Sequence, residues 1–308
     1  MRGGLSLTHS YYEALRRLTL QLAGVQMGSD HAFLVETRLS DLARKEGYDT
    51  LDAMVEDLFA TGQSQLALHV VSTLVERDTH FNRDTVSFDA LFEHVLPDLV
   101  EKRGGGRIDL LSYGCGSGQD LYSIAIKARD PQNAQILTPV SLHLKGVDYP
   151  SQALERARAG RYTHFEIQRG LSVRDMLAHF TPDPTPGSTD WLVASHLREN
   201  VTFEDAHLMA DKGQRESCHV ILFRGTVKHL SRSARYRVSK TLTLMLRHGG
   251  YLILGSDDSM AEINAGFSQI DGYPGVFRRH DAIVEPVGKQ PTNRTTFEGA
   301  KARRSNSH

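Results

Sequence analysis

The chain has 308 residues, enough for one large domain or two smaller ones. Its 36 Lys+Arg and 37 Asp+Glu leave a formal net charge of −1, so there is no global attraction to nucleic acid or an anionic membrane surface. Cys115 and Cys218 are the two cysteines, which supports neither a disulfide framework nor a cysteine zinc site, and no apolar run is long enough for a membrane span.

Residues 1–78 read as all-helical. "YYEALRRLTLQLAG" sets Tyr11, Leu15, Leu18 and Leu22 on one face and ends at Gly24. "SDHAFLVETRLSDLARKEGY" opens on Ser29 or Asp30 as a cap, carries Leu34, Leu39 and Leu42 at helical spacing, and stops at Gly47. "TLDAMVEDLFATG" and "SQLALHVVSTLVERD" predict two more short helices. From about residue 105 the period changes. "RIDLLSYG" is a short buried strand, followed by glycines and a helix over 119–129. "VSLHLKGVD" is a second strand ending at Asp148, and "PSQALERARAG" is a capped helix. "VTFEDAHL", "CHVILFRG" and "YLILGS" are later strands, with a helix across "SRSARYRVSKTLTLMLRHGG". This alternation argues for a parallel, doubly wound α/β sheet. Residues 163–200, with the turn-rich "TPDPTPGST", interrupt it as an excursion or small subdomain. Polar, basic and aperiodic, residues 289–308 are expected to be disordered. The expected organisation is a helical domain 1–78, a main domain 79–288 and this tail. An N-terminus without an apolar signal core and the sparse cysteines lead to the expectation of a soluble, cytoplasmic protein.

The chemistry gathers at "LLSYGCGSGQD". Gly114, Gly116 and Gly118 lie between a strand and a helix, where backbone can approach a ligand and the helix start offers free N–H groups. Ligands of doubly wound sheets sit at the carboxyl ends of the strands, where Asp148 can accept two ribose hydroxyls. Dinucleotides and S-adenosylmethionine (SAM) both use such a pairing. The spacing here is G-x-G-x-G rather than G-x-G-x-x-G, which favours a ligand without phosphates and leaves a nicotinamide-dependent dehydrogenase as the outside reading. Fifteen histidines show no H-E-x-x-H spacing, so no metal is assigned.

Seven blocks in order resemble the CheR-type chemotaxis receptor methyltransferases, over about residues 10–285. "HAFLVETRLSDLARKEGYDTLDAMVEDL" is similar to that family's N-terminal helical domain, and "RDTHFNRD" to its N-E-T-x-F-F-R-E linker. "LSYGCGSGQDLYSIAI" is similar to W-S-A-G-C-S-T-G-E-E-P-Y-S-I-A, and "GVDYPSQALERARAGRY" to the second strand with its acid. "LRENVTFEDAHL", "VILFRGTVKHL" and "LRHGGYLILGSDDS" follow in family order. The resemblance implies a class I SAM-dependent methyltransferase, with a Rossmann-like doubly wound sheet, that methylates glutamate side chains of a chemoreceptor-like helical partner. It implies SAM contacts from Thr79, Arg83, Gly114, Gly116, Gly118, Asp120, Asp148, His207, Leu208, Gly225 and Thr226. It sets Arg77, Arg224 and His229 at the transfer site, the basic Arg38, Arg44 and Lys45 toward the receptor, and a receptor-docking β-subdomain at 163–200. Neither nucleic acid nor membrane insertion is expected.

The departures cluster near the site. Arg77 and His207 replace asparagines, Gln119 the first acid of G-E-E, and Leu121 its proline. Gly225 replaces the asparagine of the C-R-N stretch, His229 a tyrosine, and "GSDD" stands for G-H-S-E. Three readings stay open: a methyltransferase acting on a protein carboxylate; a non-catalytic module binding SAM or its demethylated product; and a methyltransferase redirected to a small molecule, with a pocket widened at Gly225. His229 is either a base for a hydroxyl acceptor or an ordinary surface or packed histidine. Cys115 reads as packing, and Trp191 as an anchor of the excursion or of a partner.

Overall fold

Four helices open the chain: α1 (His9–Ala23), α2 (Ala32–Lys45), α3 (Leu51–Thr61) and α4 (Ser64–Val75). The computed structural model describes residues 7–28, 31–62, 64–75, 79–206, 209, 217–255, 258 and 266–280. The cap at Ser29 or Asp30, Arg77, His207, Leu208 and the tail 289–308 lie outside the described residues. Tyr12, Leu15, Val35, Leu39, Met54, Val55 and Val70 close a core shared by the four helices. Thr50 caps α3, its Oγ1 accepting the Ala53 N–H at 3.1 Å. Two expected stripes are shifted. In α1 the buried face is Tyr12, Leu15, Thr19 and Ala23, while Tyr11, Leu18 and Leu22 are half-buried, because the helix straddles its own bundle and the sheet core. In α2 it is Val35 that faces the bundle; Leu34 is 41% exposed.

The main domain begins with α5 (Thr85–Ala90), which runs through a π turn at Leu91–Val95 into α6 (Leu96–Arg103). Then come β1 (Gly106–Tyr113), α7 (Gln119–Lys127), α8 (Pro131–Leu137), β2 (Val140–Asp148) and α9 (Gln152–Ala159). The excursion contains β3 (Arg161–Thr163), α10 (His164–Gln168), α11 (Val173–His179), β4 (Phe180–Pro182), β5 (Asp190–Val193) and α12 (Ser195–Arg198). The chain returns through β6 (Val201–Asp205), β7 (Cys218–Phe223), a 3-10 turn at Val227–His229, α13 (Arg232–Met245), β8 (Leu246–Leu254), β9 (Phe267–Gln269) and β10 (Val276–Arg279).

One seven-stranded sheet has the order β6-β2-β1-β7-β8-β10-β9. Its first five strands are parallel, and the order reverses between β1 and β7, the position where doubly wound sheets open a crevice. Alternate side chains feed opposite faces: Ile108, Leu110, Val220, Leu222, Tyr251 and Ile253 enter one core, and Leu111, Tyr113, Ile221, Phe223, Leu252 and Leu254 the other. The sheet is not wholly parallel. β10 runs antiparallel between β8 and the edge strand β9, and β10 and β9, at four and three residues, are too short to announce themselves by alternation. Nor does the helix continue through "LRHGG": it stops at Met245, because Leu246 is fully buried and pairs with Cys218.

β3, β5 and β4 form a small antiparallel sheet with β5 in the middle. Trp191 on β5 is half-buried and packs partly against the main core, with its ring 5.8 Å from that of His164. Tyr162 on β3 is completely buried; its hydroxyl donates to the carbonyl of Ser117, and Phe81 meets its ring edge-on at 4.9 Å. The small sheet is thereby bonded directly to the glycine loop. Among the described residues no helix is long and apolar enough to cross a membrane.

Candidate active site

The loop after β1 folds back on the end of β2. The N–H groups of Gly114 and Cys115 donate to the carbonyl of Val147 at 2.8 and 3.2 Å. Asp148 then closes the loop: its Oδ2 accepts the Gly116 N–H at 2.6 Å, and its Oδ1 the Tyr149 N–H at 2.7 Å. A carboxylate oxygen has two lone pairs and can accept more than one donor. Burial, reinforced by the Asp148 charge, pushes the Cys115 thiol well above its ordinary range, so it stays protonated and serves as packing.

A second wall comes from the linker 79–84. Asn82 and Asp84 hold left-handed φ values of 50° and 55°, uncommon for non-glycine residues and concentrated here on either side of Arg83. Arg224, at the end of β7, fastens this turn from below. Its Nη2 donates to the carbonyls of Arg83 and Asp84, and its guanidinium lies 4.6 Å over the Phe88 ring. The same group is within 3.4 Å of Asp120 and 3.5 Å of Asp84, with its side chain only 2% exposed. Arg83 pairs with the same Asp120 oxygen, Oδ2, at 3.2 Å.

Thr79, Arg83, Gly114, Gly116, Asp148 and Arg224 line one open cleft at the switch point of the sheet. Beside it, three buried atoms have no hydrogen-bond partner, Asp120 Oδ1, Gln119 Nε2 and Arg224 Nε, and Arg224 Nη1 makes only the longer ion pair to Asp120. Orphaned acceptor and donor atoms at one place fit a zwitterionic amino-acid group, whose ammonium needs a carboxylate and whose carboxylate needs cations. Asp148 offers the acceptor for a ribose. The residues present therefore suit a nucleoside joined to an amino acid.

A second cavity, of about 290 Å³, opens between the helical bundle and the loop after β7. Val25, Met27, Leu34 and Leu74 give it apolar walls. Arg38, Arg83, Lys228, His31 and His229 stud those walls, and no carboxylate is among the described lining residues. Arg83 and Val75 line both cavities, so the two meet at the Arg83 guanidinium. An antiparallel bridge between Val25 and Leu230, with the Gln26 N–H donating to the His229 carbonyl at 2.9 Å, ties the bundle to this loop.

Several expected site residues sit elsewhere than the resemblance suggested. Gly118 is buried and contributes to neither lining; its missing side chain makes room for Phe203 and Ala157. Gly225 lines the second cavity rather than the first. Thr226 is buried, its hydroxyl turned to the Arg224 carbonyl at 3.3 Å. Arg224 clamps backbone below the cleft instead of reaching the second cavity, because two backbone carbonyls and two carboxylates hold it there. His229 is exposed on the second cavity's rim, and Arg38 lines that cavity, whereas Arg44 bonds Asp41 and Lys45 reaches Gln152 at 2.8 Å. Two residues were missed. Asp84 holds Arg224, and Asp258 accepts the Gly225 N–H at 2.6 Å and the Lys228 N–H at 3.3 Å. The acid of "GSDD" was the available signal for Asp258, and the closing acid of "RDTHFNRD" was the one for Asp84.

Comparison with known proteins agrees with this geometry. The family model described as "CheR methyltransferase, SAM binding domain" matches residues 77–276. The chain is 25% identical over 276 residues to Chemotaxis protein methyltransferase 1 of Pseudomonas aeruginosa, covering 89% of this chain and 99% of that one. It is 24% identical over 266 residues to Chemotaxis protein methyltransferase Cher2 of Pseudomonas putida, covering 86% and 96%. A Chemotaxis protein methyltransferase of Vibrio parahaemolyticus is 25% identical over 272 residues, covering 88% and 97%.

Proposed function

The chain belongs to the CheR methyltransferase family, and from that premise we propose that it acts in the cytoplasm, methylating a glutamate carboxylate on a chemoreceptor-like helical partner. It is a class I SAM-dependent methyltransferase by family and topology. When bound, SAM supplies a sulfonium methyl group, which an acceptor oxygen takes in line while the C–S electron pair returns to sulfur.

A glutamate carboxylate is already ionised at neutral pH, so the protein's work is alignment and exclusion of water rather than proton abstraction. In this reading Asp148 accepts the ribose hydroxyls, and Asp120 accepts from the amino group. Arg224 is a positioning residue, keeping the strained linker in place so that Arg83 faces the junction. The reading is carried by that junction: a cleft suited to an amino-acid nucleoside opens beside a cation-studded cavity, with Arg83 on both walls. An acidic helix laid along Arg38 and Lys228 would point one carboxylate toward Arg83.

The test is transfer of labelled methyl from SAM to a purified chemoreceptor cytoplasmic domain. Label that is released as methanol by mild alkali supports a carboxyl ester. Alkali-stable label assigns another acceptor atom, and SAM binding without transfer to any protein makes the chain a binding module.

A further inference from the structure

Many surface cations of this chain stand beside their own acids: Arg44 bonds Asp41, Lys102 bonds Asp98 and Arg158 bonds Asp205. One helix breaks that pattern. From Ser217 to Ser256 the sequence holds seven Lys or Arg and no Asp or Glu, although acids make up 37 of the 308 residues. α13 lies within this stretch. Its apolar face, Ala234, Val238, Leu242 and Met245, is buried in the core under the sheet. Its outer face exposes Arg232, Tyr236, Arg237 and Lys240, with Tyr236 64% exposed. Arg232, Tyr236 and Lys240 follow one another at four-residue spacing, so they form a line about 12 Å long. Among the described residues no carboxylate pairs with any of these three cations. Nor does the charge serve the helix. The first turn of α13 has no acid, and Arg232 and Arg235 stand at the positive end of its dipole. Arg237 and Lys240 are like charges one turn apart. Cations set against the helix's own preference and left without acids call for acids that a partner brings.

The helix is fixed to the acceptor side of the site. Ser231 caps it and donates its N–H to the Gly24 carbonyl at 2.8 Å, and Arg235 Nε donates to the Val227 and Leu230 carbonyls at 3.1 and 3.0 Å. Lys228 and His229, in the loop so bound, line the second cavity. We infer that Arg232, Tyr236, Arg237 and Lys240 form a docking surface for an acidic face of the helical protein that presents the carboxylate. This docking rests on the acceptor proposed above and adds a point of attachment outside the cavity. Three cations are few for a phosphate polymer, and the rest of a chain of net charge −1 adds no attraction for one. The Tyr236 ring, apolar and rigid in the middle of the line, suits the side of a protein helix. Acids about eight residues apart on a helix laid along α13 would meet Arg232 and Lys240, with an apolar residue between them on Tyr236. Charges of this exposed kind act on encounter and affinity rather than on the chemical step.

The experiment compares the full-length chain with the double variant Arg232→Glu, Lys240→Glu and with Tyr236→Ala, using labelled SAM and a purified chemoreceptor cytoplasmic domain. All three positions are exposed, so each variant is expected to keep the parent's thermal midpoint. The double variant is expected to raise the acceptor KM about tenfold at low salt, with kcat and SAM affinity within about twofold of the parent. In about 0.5 M salt that difference is expected to shrink to about twofold, because exposed charges are then screened. Tyr236→Ala is expected to raise KM about threefold at either salt concentration. An unchanged acceptor KM in the double variant overturns the inference alone, as does a rise that salt leaves undiminished. If KM is unchanged while charge reversal abolishes binding to phosphatidylserine vesicles or to duplex DNA, the surface belongs to that anion instead. If the unaltered chain transfers no methyl, the acceptor reading fails, and calorimetric titration with the receptor domain decides the docking separately. Binding lost on charge reversal then retains the docking surface, and no binding by the unaltered chain overturns both.

Discussion

Gly118 and Phe203 are in direct opposition: a Cβ at 118 would stand 2.7 Å from Cζ of Phe203, and 2.9 Å from the Ala157 Cβ. The glycine sits at φ +84° at the start of α7. Gly118→Ala therefore combines backbone strain with a clash inside the core between α7, α9 and β6. It is expected to destabilise the ligand-free protein by about 2 kcal/mol or more. Denaturant unfolding without cofactor checks this. A variant as stable as the parent, but weakened in SAM binding, would return Gly118 to the cofactor cradle.

The Asp148 carboxylate already accepts two backbone N–H groups, so it organises the loop as well as facing the cleft. Asp148→Asn keeps shape and one acceptor oxygen but loses the charge. A hydrogen bond to a charged group contributes about 1.5–3 kcal/mol. SAM affinity measured by calorimetry is expected to fall about 10- to 100-fold. Unchanged affinity would remove Asp148 from the site.

Arg224 is more structural than its position in the family motif suggested. Its guanidinium is buried with Asp84 and Asp120 and bonds two carbonyls of the strained linker. Arg224→Met preserves bulk over Phe88 but leaves both carboxylates without this cation. Removing one member of a buried ion pair typically costs about 3–5 kcal/mol, and Arg83 remains to offset part of that for Asp120. The expected result is a loss of about 2–4 kcal/mol in urea unfolding, together with weakened SAM binding. A stable variant defective only in transfer would instead make Arg224 a group that touches the reacting atoms.

The parallel core was legible in the sequence where strands buried on both faces carry near-continuous apolar runs, as in "CHVILF" of β7 and "YLIL" of β8. The short strands β9 and β10 have no such run. The three glycines of the cofactor loop looked equivalent in one dimension, yet Gly114 and Gly116 line the cleft while Gly118 faces Phe203, eighty-five positions downstream. Asp84 closes "RDTHFNRD", but its role was not legible for the same reason: its partner Arg224 is brought beside it only when β7 aligns with β1. Motif spacing reports which backbone approaches a ligand. It does not report which buried side chain holds that backbone.

His219, on β7, supplies a pH dependence independent of the cleft. Its Nδ1 accepts the Asp109 N–H at 2.9 Å, which puts the proton of the neutral ring on Nε2, a buried atom without a hydrogen-bond partner. Burial first, and then the nearby Arg103 and Arg247 charges, lower its pKa from 6.5 to about 4, against a smaller opposing pull from Asp109. Between these values the unfolded chain binds a proton that the folded chain refuses. Stability is therefore full above pH 6.5, declines as pH falls toward 4, and changes no further through this group below it. The shift corresponds to about 3 kcal/mol over that window. His219→Asn retains an acceptor for the Asp109 N–H and carries no titrating ring. Urea unfolding across pH 4–7 should show a shallower decline for this variant than for the parent; parallel curves would mean that His219 titrates alike in both states.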